Sequence, residues 1–359
     1  MIDIAIVNYR SAADTLTAVA AVTPWRHGLI WVVDNSEDGA EATRLSDLLA
    51  GRPEVRLLVP ERNLGFGGGC NLAFGQSTAE FFLLLNPDAR IDERGIMALM
   101  AAMRLYPRFG GASPKTFWDA DRRFLLPSAF PQTPQVLLAM TAALRAPRLA
   151  KWGAARYLRK MRSAMAADKP YSVPFLVGAV MMLRRTAVLA AGGLFDPDYF
   201  MFYEDTDLSL RLRRAGYRLG IAPMAEAVHE YRHKSYKAEL MMASRQTYFA
   251  KNHPGFFRLT AQLARLDRWQ RPVLWSEWGE VLTDPVGAPT ELHERLGGAG
   301  VVALSPSVMM MPALFRPVGE EPAQLSAQDW ARLEPGTYML ACSGGKYGPA
   351  LRWASFERQ

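Results

Sequence analysis

Phe81-Phe82-Leu83-Leu84-Leu85 is a run of five large apolar side chains with no alternation, and it limits the possible folds more than any other stretch of the chain. A strand with one wet face would alternate. A strand apolar on both sides belongs inside a parallel sheet that is covered above and below. The run stops at Asn86-Pro87-Asp88. Pro87 has no N–H for a ladder and biases Asn86 towards extended backbone, so an amide and a carboxylate project together where the strand ends. Ligands of open α/β sheets bind at that edge. One side chain of such a pair can hold a ribose hydroxyl and the other a divalent cation. Asn-Pro-Asp is equally good chemistry for a plain exit turn.

The first hundred residues repeat this arrangement. Ile4–Val7, Leu29–Val33 and Val55–Val59 read as further buried strands. They are followed in turn by Asn8-Tyr9-Arg10-Ser11, by Asp34-Asn35-Ser36-Glu37-Asp38-Gly39, and by a glycine-rich turn from Glu61 to Asn71 with a helix over Leu72–Ser77. Strands alternating with helices at this spacing predict a parallel, doubly wound sheet. A dinucleotide-binding fingerprint needs its glycines directly after the first strand. Here that turn has none, which disfavours nicotinamide and flavin. The later glycines can let backbone amides approach a phosphate or sugar at a helix start, or can simply make a tight turn.

Half of the 359 residues are hydrophobic and 21% are charged, as in a folded globular protein with room for a second module. The net charge of +7 is unevenly spread. No acidic residue occurs between Asp121 and Asp168, whereas Arg145, Arg148, Lys151, Arg156, Arg159, Lys160 and Arg162 do. This basic amphipathic insertion, set at 123–170, can lie on an anionic membrane surface or pack as an ordinary lid. Nothing in the pattern calls for nucleic acid. Two cysteines, Cys70 and Cys342, make no disulfide framework, and the N-terminus lacks a basic leader. The longest apolar runs are too short to span a bilayer. The expectation is a cytoplasmic protein, soluble or peripheral at the inner face of the membrane.

A helix Ile96–Tyr106 and a strand Gly110–Lys115 are expected next, and Pro174–Leu183 returns to the core, with Gly178 marking close backbone approach. Glu204, Asp205 and Asp207 then crowd the start of a helix whose last turn holds Arg211, Arg213 and Arg214 before Gly216. The helix dipole favours ionised carboxylates there, which suits either a base or plain capping. After a strand Tyr217–Ile221, His229 stands where an imidazole could join Asp88 on one cation.

Six stretches in this order resemble glycosyltransferase family 2, in its rhamnosyltransferase-like branch: Ile-Val-Asn-Tyr-Arg-Ser from 6, Val-Asp-Asn-Ser from 33, Asn-Leu-Gly-Phe-Gly-Gly-Gly-Cys-Asn from 63, Leu-Leu-Asn-Pro-Asp from 84, Phe-Tyr-Glu-Asp-Thr-Asp-Leu-Ser-Leu-Arg from 202 and His-Glu-Tyr-Arg-His-Lys-Ser from 229. The likeness covers roughly residues 1–250, and the motifs are specific jointly rather than singly. It implies a GT-A fold, a Rossmann-like, mostly parallel sheet flanked by helices. It also implies inverting transfer of a sugar, with rhamnose as the branch's example, from a nucleoside diphosphate donor (dTDP- or UDP-linked), with Mg²⁺ or Mn²⁺, to a bacterial surface glycan or lipid-linked acceptor. Carried over, Asn8 and Asp34 meet the nucleobase or ribose, and Asn63 and the stretch Gly65 to Asn71 line the donor site. Asn86 and Asp88 stand in place of an Asp-x-Asp motif, with Asn86 near the ribose, Asp88 on the metal and His229 as second metal ligand. Asp205 takes the place of the base and Glu204 of an acceptor contact. Asn86 replaces the family's first aspartate, which removes one negative charge. The alternative is a catalytically silent sugar-nucleotide-binding or scaffold protein with the same fold.

Residues 251–359 carry no motif of that family. They read as a helix Phe256–Trp269 and a small β-rich module from about residue 270. Trp275, Trp278, Trp330 and Trp353 are read as its core, with acceptor glycan or a homodimer contact as their other use.

Overall fold

In a computed structural model of the chain, residues 1–22, 28–126, 132–144, 146–230, 237–258, 280–305, 313–316, 324–343 and 352–359 are described. They divide into two compact units, Met1–Phe117 with Asp168–Glu230 and Tyr236–Pro254, and Trp118–Ala167 with Tyr231–Ser235 and Gly255–Gln359. The chain runs β1 (Ile2–Asn8), α1 (Ala12–Val22), β2 (Ile30–Asp34), α2 (Gly39–Leu49), β3 (Val55–Leu58), α3 (Gly65–Gln76), β4 (Phe81–Leu85), β5 (Ala89–Ile91), α4 (Glu93–Leu105) and β6 (Phe109–Phe117) in the first unit. Helices α5 (Pro134–Leu144) and α6 (Pro147–Ala166) lie in the second. The first unit resumes with β7 (Tyr171–Val173), β8 (Val180–Arg184), α7 (Arg185–Ala190), α8 (Glu204–Arg214), β9 (Arg218–His229) and α9 (Lys237–Asn252).

Among the described residues the first unit is one sheet in the order β3-β2-β1-β4-β8-β6-β9-β5, with β7 also on β9. Strands β1, β2, β3, β4, β6 and β9 run one way, and β5, β7 and β8 the other. Alternate side chains of each central strand feed two separate cores. Ile4, Ile6, Phe81, Leu83 and Leu85 enter one with α1 and α4, whereas Ala5, Val7, Phe82 and Leu84 enter the other with α3, α7 and α8. This is why the Phe81–Leu85 run has no polar position.

The sequence reading ended the strand from Tyr217 at Ile221, two residues before Pro223, which cannot donate to a ladder. In the structure β9 continues to His229 across a register shift, with Pro114 opposite Ala222 and Lys115 opposite Glu226. His229 is therefore not beyond a strand; it is the last residue of one, paired with Ala89. Only Asn86, Pro87 and Asp88 separate β4 from β5. Four peptide steps reach about 14 Å, while four strand spacings in a flat sheet take about 19 Å. The far half of β9 must therefore bend back at its bulge towards the end of β4, carrying His229 with it.

The glycine-rich stretch is not a turn, as expected, but the first two turns of α3. A Cβ on Gly65, whose φ is +72°, would sit 2.1 Å from the Phe200 carbonyl oxygen, and one on Gly69 would sit 2.9 Å from Val7 Cγ1. These glycines let the helix press onto the sheet and onto the Phe195–Phe200 turn.

In the second unit, β10 (Glu280–Val281), β11 (Gly300–Ser305), β12 (Leu314–Phe315), β13 (Gly336–Ser343) and β14 (Arg352–Arg358) form a sheet in the order β10-β14-β13-β11-β12. The stretch 123–170, set from sequence as an insertion in the first domain, belongs mostly to this unit instead. Leu125 bridges Phe315, Arg123 Nη2 lies 2.6 Å from Asp329 Oδ2, and Ala154, Leu158 and Met161 of α6 are buried in the unit. Trp330 stacks on Phe356 at 5.7 Å and is a core residue, and Trp353 is half-buried. Trp275, Trp278 and the end of the expected Phe256–Trp269 helix lie outside the described residues, as do 231–235 of the last family-like stretch.

Candidate active site

The ends of β1 and β2 are tied by one hydrogen-bonded cluster. Asn8, fully buried, donates through Nδ2 to Asp34 Oδ1 at 2.9 Å and to Ser36 Oγ at 3.1 Å. Its Oδ1 accepts from Ser11 N at 3.2 Å, Ser11 Oγ at 3.0 Å and Thr15 Oγ1 at 2.8 Å. Asn8 thus frames the first turn, the place where contact with the nucleobase or ribose was expected. Asp34 has all of these bonds on Oδ1, including 2.6 Å from Ser36 Oγ, and none of them on Oδ2. Arg10 and Glu37 flank the cluster with positive φ, a strained backbone that a tight strand-end turn imposes.

Asn63 Oδ1 accepts from Gly65 N at 2.9 Å, and Phe66 N donates to the Phe200 carbonyl at 3.0 Å, so the first amides of α3 are already committed. Asn71 Nδ2 donates to the Phe195 carbonyl at 2.8 Å and its Oδ1 accepts from Phe195 N at 2.9 Å. Asn71, expected at the donor site, holds the start of the Phe195–Phe200 turn, and the missing Cβ of Gly65 lets Phe200 come close. Asn35, which the sequence reading did not single out, donates to the Gly65 carbonyl at 2.7 Å.

Asp88, His229, Asn86 and Asp205 are brought to one edge by short links. His229 Nε2 lies 3.2 Å from Asp88 Oδ1, and Glu230 N donates to the Asp88 carbonyl at 3.0 Å. Asn86 N donates to the Ala179 carbonyl at 2.8 Å, while Gly178 N, one residue back, donates to Asp205 Oδ2 at 3.0 Å. Gly178 was expected to mark a close approach, and its partner is the Asp205 carboxylate. The Asp205 Oδ1 atom accepts from Thr206 N at 2.6 Å and from Thr206 Oγ1 at 3.2 Å. Thr206 had no signal in the sequence, because it lies between two acidic residues that any capping pattern would explain.

The electrostatics differ from the dipole argument. Burial raises the Asp205 carboxyl above its ordinary value, and the three donors pull it only part of the way back. Glu204 is pushed much further, by burial first and by the neighbouring Asp205 second, and its Oε2 is buried with no hydrogen-bond partner. Of this adjacent pair, Glu204 is pushed further up, and Asp205 is the one whose oxygens both accept hydrogen bonds. A carboxyl raised in the folded state adds stability below its unfolded value of 4.5 and loses that contribution as pH rises through the folded value. Glu204→Gln is therefore expected to melt with the wild type in acid and to be more stable than it at alkaline pH. Urea midpoints across that window test this, and parallel curves would place an ionised Glu204 in the fold.

Helix α8 starts from Phe202 and Tyr203, both with positive φ, and no side chain caps it. Helix α9 holds that strained entry. Ser244 Oγ donates to the Met201 carbonyl at 2.6 Å, the Tyr248 ring packs 5.5 Å from Tyr203, and Lys251 pairs with Asp196 at 2.7 Å and Asp198 at 2.5 Å. Asn252 Nδ2 donates to Asp207 Oδ1 at 3.0 Å, and Arg211 pairs with Asp207 Oδ2 at 2.7 Å. These α9 residues carried no motif, and sequence reading missed them.

A divalent cation fits the Asp88 edge by donor chemistry. A carboxylate and an imidazole nitrogen lie 3.2 Å apart, and Asn86 Oδ1, two residues before Asp88, is buried with no partner. Among the described residues no three His, Cys, Asp or Glu side chains cluster as a closed metal cage. Two protein ligands with room for phosphate oxygens and water are what Mg²⁺ and Mn²⁺ sites at diphosphates use.

The mostly parallel sheet with helices on both faces is that of a GT-A glycosyltransferase fold, and the crystal structure of GalNAc-T7 with UDP, GalNAc and Mn²⁺ shares it. That likeness has 14% sequence identity and a TM-score of 0.51, covering 72% of this chain and half of that one. The profile of glycosyl transferase family 2 matches residues 3–190, and that of glycosyl transferase family group 2 matches 128–313. The chain belongs to glycosyl transferase family 2, and its reaction class is glycosyl transfer. The N-acetylglucosaminyl-diphospho-decaprenol L-rhamnosyltransferase of Mycobacterium tuberculosis is 27% identical over 245 residues, 64% of this chain and 74% of that protein. Rhamnosyltransferase WbbL of Escherichia coli K12 is 41% identical over 61 residues, 17% of this chain and 23% of its own length. Among the described residues no helix is long and apolar enough to cross a membrane.

Proposed function

We propose that this protein transfers a sugar, rhamnose in the first instance, from a nucleoside diphosphate to a hydroxyl of a lipid-linked acceptor glycan, with inversion at the anomeric carbon. The observation that carries the reading is the Asp205 carboxylate, held by Gly178 N–H and Thr206 and linked through Ala179 to the Asn86–Asp88 turn. Similarity to the mycobacterial enzyme supports rhamnose and a polyprenyl diphosphate-linked acceptor.

Thr206 occupies Oδ1 of Asp205 twice, whereas Oδ2 accepts one bond. Oδ2 has a lone pair left for the acceptor hydroxyl. As that oxygen attacks the anomeric carbon, its proton passes to Asp205, the new C–O bond forms, and the bond to the diphosphate oxygen on the opposite face breaks with its electron pair. A raised carboxyl is the stronger base for this as long as its donors keep it ionised. Glu204, neutral beside it, can hydrogen-bond the acceptor without adding repulsion. Asp88 and His229, with Asn86 Oδ1, would hold Mg²⁺ or Mn²⁺, which when bound neutralises charge on the departing diphosphate. Asp34 Oδ2 is the group proposed to meet the ribose or base, and Asn63 holds the neighbouring helix start.

A thermal-shift screen of dTDP-, UDP- and GDP-sugars with Mn²⁺ or Mg²⁺ tests the reading. dTDP-rhamnose with metal is expected to give the largest rise in Tm, since a ligand of the folded state alone stabilises in proportion to ln(1 + [L]/Kd). No rise with any nucleotide sugar would overturn it.

A further inference from the structure

Helix α6 has two unlike faces. Ala154, Leu158 and Met161 are buried. Opposite them Arg148, Trp152, Arg156, Arg159 and Ser163 follow each other at three- and four-residue steps and are all exposed. Lys160 and Arg162 flank this row, also exposed, and Lys151 is half-buried beside it. Among the described residues none of these cations makes an ion pair, and no acidic side chain occurs on α5 or α6 to offset them. Trp152, between Arg148 and Arg156 in the row, is 59% exposed, with the Arg156 guanidinium 6.0 Å from its ring. Helix α5, which packs on α6, carries no charged residue from Pro134 to Leu144 and leaves Leu138 46% exposed.

The sequence reading assigned the apolar residues of this stretch to a membrane or to a packed lid. The structure divides them, with Leu158 and Met161 in the protein and Trp152 and Leu138 outside. A solvated face has no use for an exposed tryptophan among unpaired cations. An acidic protein surface would be matched by the charges but not by the uncharged helix alongside. An anionic lipid surface matches all three features: headgroup phosphates for the cations, the interfacial layer for the indole, and the acyl boundary for Leu138.

We infer that the outward face of α6, with Leu138 of α5, seats this protein on an anionic bilayer. The inference deepens the transfer reading by naming the surface on which a lipid-linked acceptor is met, and it rests on that reading only for its purpose.

Sedimentation of the full chain with vesicles, in the absence of donor, tests it. Vesicles containing phosphatidylglycerol are expected to carry the protein down, vesicles of phosphatidylcholine alone are not, and raised salt should release it. Arg156→Glu with Arg159→Glu should weaken the partition by roughly tenfold or more, and Trp152→Ala should weaken it separately. All three side chains are exposed, so the melting temperature checks that the fold is kept. Equal binding of the charge-reversed variant, no sedimentation with either vesicle, or capture by a single-stranded oligonucleotide without vesicle binding would each overturn the inference. Because no turnover is read, a failure here leaves the transfer reading standing. An inactive enzyme that still sediments leaves this inference standing.

Discussion

Asp205→Asn is expected to cut sugar transfer by roughly 10²- to 10⁴-fold, the usual worth of a positioned general base, while donor affinity measured by calorimetry stays near that of the wild type. The amide keeps the shape of the carboxylate but cannot take up a proton at neutral pH. It also has one oxygen where Gly178 N, Thr206 N and Thr206 Oγ1 now find two. One N–H therefore loses its acceptor, at a cost on the order of 1 to 3 kcal/mol, and the melting temperature should fall modestly. Retained donor binding separates a missing base from a collapsed site. A variant turning over at near wild-type rate would take Asp205 out of the chemistry.

Asp88→Ala is expected to act on the other half of the reaction. Losing an outer partner of a metal ligand commonly costs roughly 10- to 100-fold in metal affinity, and losing the carboxylate itself should cost at least that. The Mn²⁺-dependent part of nucleotide binding should then disappear while the metal-independent part remains. His229→Ala should behave alike, because its Nε2 shares the same 3.2 Å gap. Titrations with and without Mn²⁺ check both variants. An undiminished metal effect in either would put the cation elsewhere.

The sheet was legible in the sequence because strands buried on both sides leave an unbroken apolar signature, as in Phe81–Leu85, and the polar turns at their ends were legible for the same reason. Two features were hidden. Pro223 looks like the end of a strand, yet a bulge absorbs it and β9 runs on to His229, so local propensity gave way to pairing with β6 and β5. The glycines from Gly65 look like a loop by composition, yet they are spaced to let a helix close on Val7 and Phe200, a fact about distant neighbours that no local pattern encodes. For the site, Asp88, Asp205 and His229 stood out as charged or titratable groups near strand or helix ends. Of the groups that hold Asp205, Gly178 was marked as a close approach without its partner, and Thr206 is an ordinary residue whose meaning comes only from what lies opposite. Asn8 was legible as a polar residue at a strand end, but its bonds to Asp34 and Thr15 were not.

The grip of α9 on the entry to α8 also says where this enzyme can be cut. The profile of glycosyl transferase family 2 ends at residue 190 and the last family-like stretch at 235, which invites trimming just beyond. A truncation there would discard Ser244, Tyr248, Lys251 and Asn252, the four side chains that brace the segment from Asp196 to Asp207. Whoever shortens the chain, or transplants its reaction centre onto another scaffold, has to bring this trailing brace along.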